Sequence, residues 1–420
     1  MQRINGSGGI KMCAKSPDEL AKERLARIQA AMNLEEPDRV PLSGVGGDVI
    51  PAYAGITHYE FCFDYNKTRE ALAKFNKDFP CDWTFASGFT GVGVPPLTYA
   101  FADDPEVSTV FGMSGRTHDI LGDKCTRYPG RELAENCSPQ FIGGTFMQPE
   151  EYDQLIEDPV GFIAETVLPR ICRNLETPRK AMATWVRLGM ESGNVMAFMQ
   201  GVAEDLANIG MPSIPLTLAM APLDLIGDGL RDVTNVLIDV RKYPDKVKKA
   251  CEALIEPILK IALAMKPLGA NIAFIPLHLN EYLSPKLYNE FYWPYLKEVI
   301  LRLADEGIKS MVFFEGKHEP HLETILELPP KWGIAYFEKT DIRKAKELLK
   351  NHTCVMGGIP ISLIIGSTPE KIDEYVKGLM EDIKPGGGYI ASTSIGIAPR
   401  ETPLENIRAL IDAVEKYGKY

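Results

Sequence analysis

Two rhythms of apolar and polar positions run along this chain. From residue 213 onward, short apolar runs at 214–220, 272–278, 309–315, 333–338, 353–358 and 388–394 are separated by longer stretches with apolar residues at helical spacing. The runs have the length of strands, and the stretches between them open on helix start signals. These signals are Ser284-Pro285, Thr368-Pro369 with Ser367 and Glu370 at capping-box spacing, and Thr402-Pro403-Leu404-Glu405. Strands alternating with helices predict a parallel sheet built of βα units. Near the start, Ser16 as cap, Pro17 at the first helical position and Glu19 completing a capping box predict a helix whose apolar face is Leu20, Leu25, Ile28 and Met32. Two more short strands are predicted around the helical run TREALAKFNKDF. One is Val40-Pro41-Leu42, running into a Gly-rich turn that ends at Asp48; the other is Asp82-Trp83-Thr84-Phe85-Ala86.

Eight strands, each followed by a helix, favour an α/β fold of the closed (β/α)8 TIM-barrel type over an open doubly wound sheet. The stretch 88–212 breaks the rhythm. It holds the loop GFTGVGVPPLTYA, a segment GRTHDILGDKCTRYPGRELAE expected to form antiparallel pieces, and helical patterns from 148 to 208. We read it as a long insertion between the second and third strands. Residues 1–15, with their GSGG, are expected to be a flexible leader, leaving a barrel over 16–420. A length of 420 residues alone allows two or three domains, and the strand rhythm resolves this toward one barrel.

Composition narrows the class of function. With 45% hydrophobic and 25% charged residues the chain is an ordinary globular protein, which excludes disordered and fibrous classes. No window approaches a membrane-spanning apolar length. A formal charge of −11 argues against a nucleic-acid partner, because phosphate contacts call for a basic stripe. Eight cysteines and six histidines are scattered without a CxxC pair, neither a disulfide framework nor a zinc finger, and this fits the reducing cytoplasm. The dinucleotide, P-loop, nucleophile-elbow and zinc-protease motifs do not occur.

In a barrel, chemistry sits where strands end and βα loops begin. His278 closes FIPLH, Glu315 closes MVFFE and Glu338 closes IAYFE, so three consecutive strands aim ionisable side chains at one rim. The plain reading of each is a rim residue bonded to a neighbouring loop; the three together point to a catalytic set. His278 can serve as general acid, general base or metal ligand, and Glu315 as base or ligand. Asp48, Met220, Phe313 and Ser394, at or beside strand ends, are the expected substrate-lining positions. His318 and His321, just past Glu315, are read as solvated cap residues. The aromatic runs at 291–293 and 313–314 are read as core.

The residues also carry a family likeness. ERLARIQAAMNLEEPDRVPL resembles the N-terminal opening of the uroporphyrinogen decarboxylase superfamily. LSPKLYNEFYWPYLKEVI, CVMGGIP, STPEKIDEYVKGLM, GGGYIASTS and TPLENIRALIDAVEKYG look like its C-terminal half, in order. The likeness covers about 213–418 and 16–50, and is weak between them. It implies a TIM barrel, a homodimer, and one of two activities: cofactor-free decarboxylation of uroporphyrinogen, or corrinoid- and zinc-dependent methyl transfer. The decarboxylase branch carries an Arg-rich loop of the form RQAGR after the first strand, whereas LSGVGGDVIPAYAG has no Arg. The thiol-activating methyltransferases place His-x-Cys at the end of the fifth strand and a late Cys after the last. Here Phe313-x-Glu315 and Ile395 stand at those positions, so the usual zinc ligands are missing and His278 with Glu315 is the remaining donor pair.

The expectation is a corrinoid-dependent methyltransferase, moving a methyl group between a small O- or N-methyl compound and a corrinoid (cobalamin). The corrinoid comes from a partner protein or binds at the barrel mouth, since no DxHxxG motif occurs in the chain. The alternatives are a uroporphyrinogen decarboxylase-like lyase on a tetrapyrrole or other carboxylated substrate, and a non-catalytic tetrapyrrole- or corrinoid-binding barrel.

Overall fold

The computed structural model describes residues 15–84, 91–109, 113–394 and 396–420. Six of the predicted strands form one parallel sheet in sequence order: β3 (Leu216–Leu218), β4 (Ile272–Leu277), β5 (Lys309–Phe314), β6 (Gly333–Phe337), β7 (Cys354–Ile359) and β8 (Tyr389–Thr393). A further pair outside the predicted eight, β1 (Thr126–Arg127) and β2 (Gln140–Phe141), is a small antiparallel ribbon inside the insertion. The register Phe274↔Met311, Phe313↔Tyr336, Tyr336↔Met356 and Met356↔Ile390 keeps alternate side chains of neighbouring strands on one side.

That alternation splits the core in two. Ile272, Phe274, Met311, Phe313, Tyr336 and Met356 share one buried cluster with Trp83 and with Ile28, Ala31 and Met32 of the helix Pro17–Met32. The intervening residues, among them Ile275, Val312, Phe314, Phe337 and Val355, join the larger cluster under the outer helices. One set fills the barrel and the other mounts the helices on it, the layered arrangement of a TIM barrel.

The first N-terminal strand is shorter than predicted, and of the second residues 82–84 are described. Leu42 makes a single parallel bridge to Ala391 of β8, and Ser43 a single parallel bridge to Trp83. Pro41 has no N–H to extend the ladder, and the turn Gly44–Gly47 follows at once. Phe85 and Ala86 lie outside the described residues. These strands are tied by Asp82, which has no exposed surface. It accepts from Arg39 Nη1 (2.6 Å) and Nη2 (3.0 Å), Arg27 Nη1 (3.0 Å) and the Leu42 amide (2.9 Å).

Other local expectations meet mixed outcomes. The Ser16/Glu19 capping box forms as predicted, and Ser284 caps its helix through the Leu287 amide. The helix Pro369–Ile383 begins at Thr368 without a side-chain cap, so Ser367 and Glu370 form no capping box. Within the segment expected to be antiparallel, Gly115–Leu121 is a helix capped by Ser114; only Thr126–Arg127 pairs as a strand. The region at 288–296 is core, with Phe291, Tyr292 and Trp293 buried. Most of the insertion is helical and culminates in the 30-residue helix Pro178–Ala207. Among the described residues, no helix is long and apolar enough to cross a membrane.

Replacing Asp82 with Ala leaves the largely buried Arg39 guanidinium without its carboxylate and Arg27 with Asp38 as its main counter-charge. Asp82→Ala is expected to destabilise the fold by about 3–5 kcal/mol, the usual cost of breaking one side of a buried ion pair. The urea midpoint should fall at unchanged slope.

Candidate functional site

The barrel filling ends in an aromatic floor. Phe313 lies between Phe274 and Tyr336, with ring centroids 6.5 and 4.5 Å away. The Tyr336 hydroxyl donates to the Thr393 carbonyl (2.9 Å) and accepts from Ser392 Oγ (3.2 Å), tying β6 to β8. Two residues beyond Phe313 comes Glu315, and two beyond Tyr336 comes Glu338, so both leave their strands on the side of the floor. His278 leaves β4 with the same parity as Phe274.

The structure brings His278 and Glu315 together, with His278 Nε2 3.5 Å from Glu315 Oε1. The other ring nitrogen, Nδ1, is 2.5 Å from Asp228 Oδ2. Asp228 lies in a π-helical turn, Gly227–Arg231, continuing the short helix Pro222–Ile226 after β3. Asp224, from the same helix, accepts from the His278 amide (3.2 Å), the Leu279 amide (3.0 Å) and the Tyr292 hydroxyl. Glu338 accepts from the Gly316 amide at 2.7 Å. Gly316 has φ of 64°, and a Cβ there would sit 2.0 Å from Glu281 Oε2, so this turn requires glycine. Asn280 Nδ2 donates to the Glu315 carbonyl (2.8 Å), holding the loops after β4 and β5 together.

These distances set the protons. Burial alone would lower the His278 pKa, but its hydrogen bond to Asp228 and the charges of Asp228, Asp224 and Glu315 raise it to about 10. Burial pushes the Glu315 carboxyl up to about 7; His278 opposes the rise, and Glu338 and Asp228 add to it. Complete burial likewise raises Asp224 to about 7, again against the pull of His278. Near neutral pH the mouth therefore holds a charged imidazolium beside a carboxyl on the point of losing its proton. Such a pair can protonate a group placed on the aromatic floor. The His278 and Glu315 side chains each keep 36% of their surface exposed, so the pair is open to a ligand.

The other predicted positions lie in different settings. Asp48 belongs to a separate cluster: His58 Nε2 is 2.9 Å away and Ser138 Oγ donates to it. Burial there would raise the Asp48 pKa, but the contacts with His58 and Ser138 bring it below the ordinary value. Met220 is core, just past β3. The Ser394 hydroxyl accepts from the Ile361 amide (3.1 Å), bracing the loop after β7. Ile395 lies outside the described residues. His318 and His321 are buried, contrary to the expectation of solvated caps. The turn after Phe314 folds inward, placing His318 4.3 Å from the Phe314 ring and His321 4.1 Å from Tyr288. Sequence reasoning missed Asp224, Asp228 and Tyr292. The signal for the first two was two acids four residues apart in the otherwise apolar stretch APLDLIGDGL.

Zinc does not fit this donor set. A catalytic zinc takes three protein ligands, and here His278 and Glu315 supply two. Among the described residues, no group of three or more His, Cys, Asp or Glu side chains is arranged to hold a metal ion.

Comparison with known proteins places this geometry in context. The family model described as uroporphyrinogen decarboxylase (URO-D) matches residues 174–417. The uroporphyrinogen decarboxylase of Trichodesmium erythraeum (strain IMS101) is 27% identical over 214 residues, 49% of this chain and 57% of the relative. That of Coxiella burnetii (strain RSA 493 / Nine Mile phase I) is 23% identical over 213 residues, 50% of this chain and 58% of the relative. The matched part thus spans little more than half the length of these curated relatives. Among solved structures, a methyltransferase from Methanosarcina mazei superposes with a TM-score of 0.58 at 16% identity, covering 94% of this chain and 98% of that one. That likeness concerns the fold, and it extends across the insertion as well as the barrel. Since the family model covers more than half of the sequence, the chain belongs to the uroporphyrinogen decarboxylase family.

Proposed function

We propose that this protein is the substrate-side methyltransferase of a corrinoid-dependent system, moving a methyl group between a small O- or N-methyl compound and cobalt. The carrying observation is the His278–Glu315 pair, a charged imidazolium and a near-neutral carboxyl above an apolar aromatic floor. The floor suits the organic part of the methyl donor, and the pair suits its heteroatom. In transfer to Co(I), the cobalt would supply the electron pair of the new bond to the methyl carbon, the old bonding pair would stay on oxygen, and Glu315 would supply the proton that neutralises it. His278, fixed by Asp228, orients and polarises the same atom. The corrinoid enters as a methyl-accepting substrate, carried by a separate protein or bound at the mouth without a ligand from His278, whose two nitrogens already face carboxylates. Supporting this reading, the superposed Methanosarcina mazei protein is itself titled a methyltransferase. We place the reaction in the cytoplasm, in keeping with the free thiols of the described cysteines.

A carboxy-lyase is the second reading, favoured by the names of the curated relatives. In it the same pair would protonate the carbon left after carbon dioxide departs. Three carboxyl groups, Asp224, Asp228 and Glu315, face one imidazole here, with a fourth, Glu338, beside Glu315, which makes a poor receptor for a polycarboxylate. A binding barrel without turnover is the third. Reconstitution with Co(I) cobalamin and methoxyaromatics or methylamines, set beside carbon dioxide release from a porphyrinogen, separates the three. Absence of methyl-cobalt formation across both donor classes would sink the leading reading.

Glu315 loses its proton as the pH rises through about 7, whereas His278 stays charged to about 10. The rate of methyl transfer from an O-methyl donor is therefore expected to fall along one ionisation near pH 7. Glu315→Gln should lower kcat about 100- to 10,000-fold and abolish that limb of the profile. A limb that persists in the variant would assign the proton to another group. Asp228→Asn should lower the His278 pKa from about 10 toward the ordinary imidazole range. Imidazole NMR titration reads this directly, and an unmoved titration would refute the pairing. Purified protein is expected to hold substoichiometric zinc by elemental analysis and to keep its activity after chelation.

A further inference from the structure

Phe141 stands 38% exposed on the antiparallel ribbon of the insertion. One exposed Phe is ordinary on a protein surface, so its place and its mounting are what count. Residues two apart in extended chain share a side, which puts Phe141 with Gly143 and leaves Ile142 on the other. A Cβ built on Gly143 would lie 3.6 Å from the Phe141 ring and 3.9 Å from the Asp228 carbonyl. The side of the ribbon that carries the ring therefore faces the π-helical turn whose Asp228 side chain holds His278.

The ring is held there from three directions. Phe141 pairs with Thr126, and the Ile142 amide donates to the Cys125 carbonyl (2.8 Å). Behind that strand the buried Asp123 carboxylate accepts from the amides of Cys125 (3.1 Å) and Thr126 (2.8 Å) and lies 2.6 Å from His118 Nδ1. These groups are remote from the proton chemistry of the mouth; they fix the ribbon. After the ribbon, Gly143 (φ 62°) and Gly144 (φ 156°) turn the chain, and a Cβ on Gly144 would sit 2.6 Å from the Phe146 ring. The Phe146 amide then donates to the Leu230 carbonyl (2.8 Å), and Thr145 Oγ1 donates to Asp232, at the end of the turn that carries Asp228. Before the ribbon, Ser138 Oγ donates to Asp48, on the loop after the first predicted strand. Residues 138–146 thus run along the rim from that loop to the turn after β3, with Phe141 between the two ties.

We propose that Phe141 is a specificity-determining residue of the barrel mouth, closing on the apolar body of the methyl donor from the rim while the Phe313 floor supports it from below. The identity of that ligand as a methyl donor rests on the methyl-transfer reading above. A flat, uncharged aryl methyl ether meets both surfaces, because aromatic pairs gain more than their buried area alone. A methylammonium ion is served less well, since the charged His278 repels it and the Asp228 carboxylate is already paired. The braced ribbon also spares the ordering cost that a mobile loop would incur on binding.

The probe is ortho-dimethoxybenzene, titrated into the full chain without cobalamin, so that the result does not depend on turnover. In protein with isotope-labelled phenylalanine, the NMR signals absent from Phe141→Ala identify the Phe141 ring, and they should shift on titration. Phe141→Ala should weaken binding about 10- to 100-fold, and Phe141→Tyr should recover most of the loss. Phe141→Leu, which keeps the apolar cover of the ribbon, should fall between the two. Unmoved Phe141 signals in a complex that forms, or an affinity indifferent to Phe141→Ala, would overturn the proposal. So would a chain that fails to bind the probe at millimolar concentration. A shifted ring and a weakened Ala variant without methyl transfer to Co(I) cobalamin would support the role of Phe141 and sink the reaction.

Discussion

Asp82 gathers two arginines and a backbone amide around one carboxylate that water does not reach. Among the described residues, the strands it joins are held by two bridges, Leu42 to Ala391 and Ser43 to Trp83, too little to hold their register alone. With Arg39 before the first of them and Arg27 on the N-terminal helix, the carboxylate fixes the seam between the start of the chain and the sheet. Everything at the mouth inherits that alignment. The alternation of side chains along β4, β5 and β6 then decides which residues fill the barrel and which rise above it, and a slip of one position would exchange the two sets.

The mouth that results is governed by a shortage of positive charge. Three carboxyl groups crowd a single imidazole, and a fourth, Glu338, stands beside Glu315 with Lys339 3.6 Å from it at the margin. Burying such a set fully ionised would be unfavourable, so protons stand in for missing cations. This is why Glu315 and Asp224 are lifted toward neutrality while His278 is held charged. The same shortage appears at the first loop, which carries no arginine between Leu42 and Gly55. A site built this way handles protons well and polyanions poorly.

Much of the fold was legible because period-two strands and capped helices write themselves into the sequence. The six apolar runs after residue 213 are the six sheet strands, and His278, Glu315 and Glu338 were found because a charged residue ending an apolar strand is conspicuous. The residues that escaped notice depend on contacts distant in the chain. Asp228 is 50 residues from His278, and nothing local says that a π-turn will aim it there. His318 and His321 read as polar loop residues until the packing of Phe314 and Tyr288 draws them inside. The face of the helix Pro178–Ala207 was hidden differently: its methionines look like core in sequence, and only the structure leaves them outside.

The π-helical turn Gly227–Arg231 has an evolutionary consequence. Turns of this kind contain one residue more than an α-helical turn would hold, and each residue added to a helix rotates the later side chains by about 100°. Loss of a single codon at Gly227 would swing Asp228 away from His278, and with it Arg231 away from its buried partner Asp239. Relatives differing by one residue here would carry an imidazole with a different charge at the same barrel mouth. The chemistry of this lineage could thus be retuned by helical phase, with no substitution in the strands that hold the site.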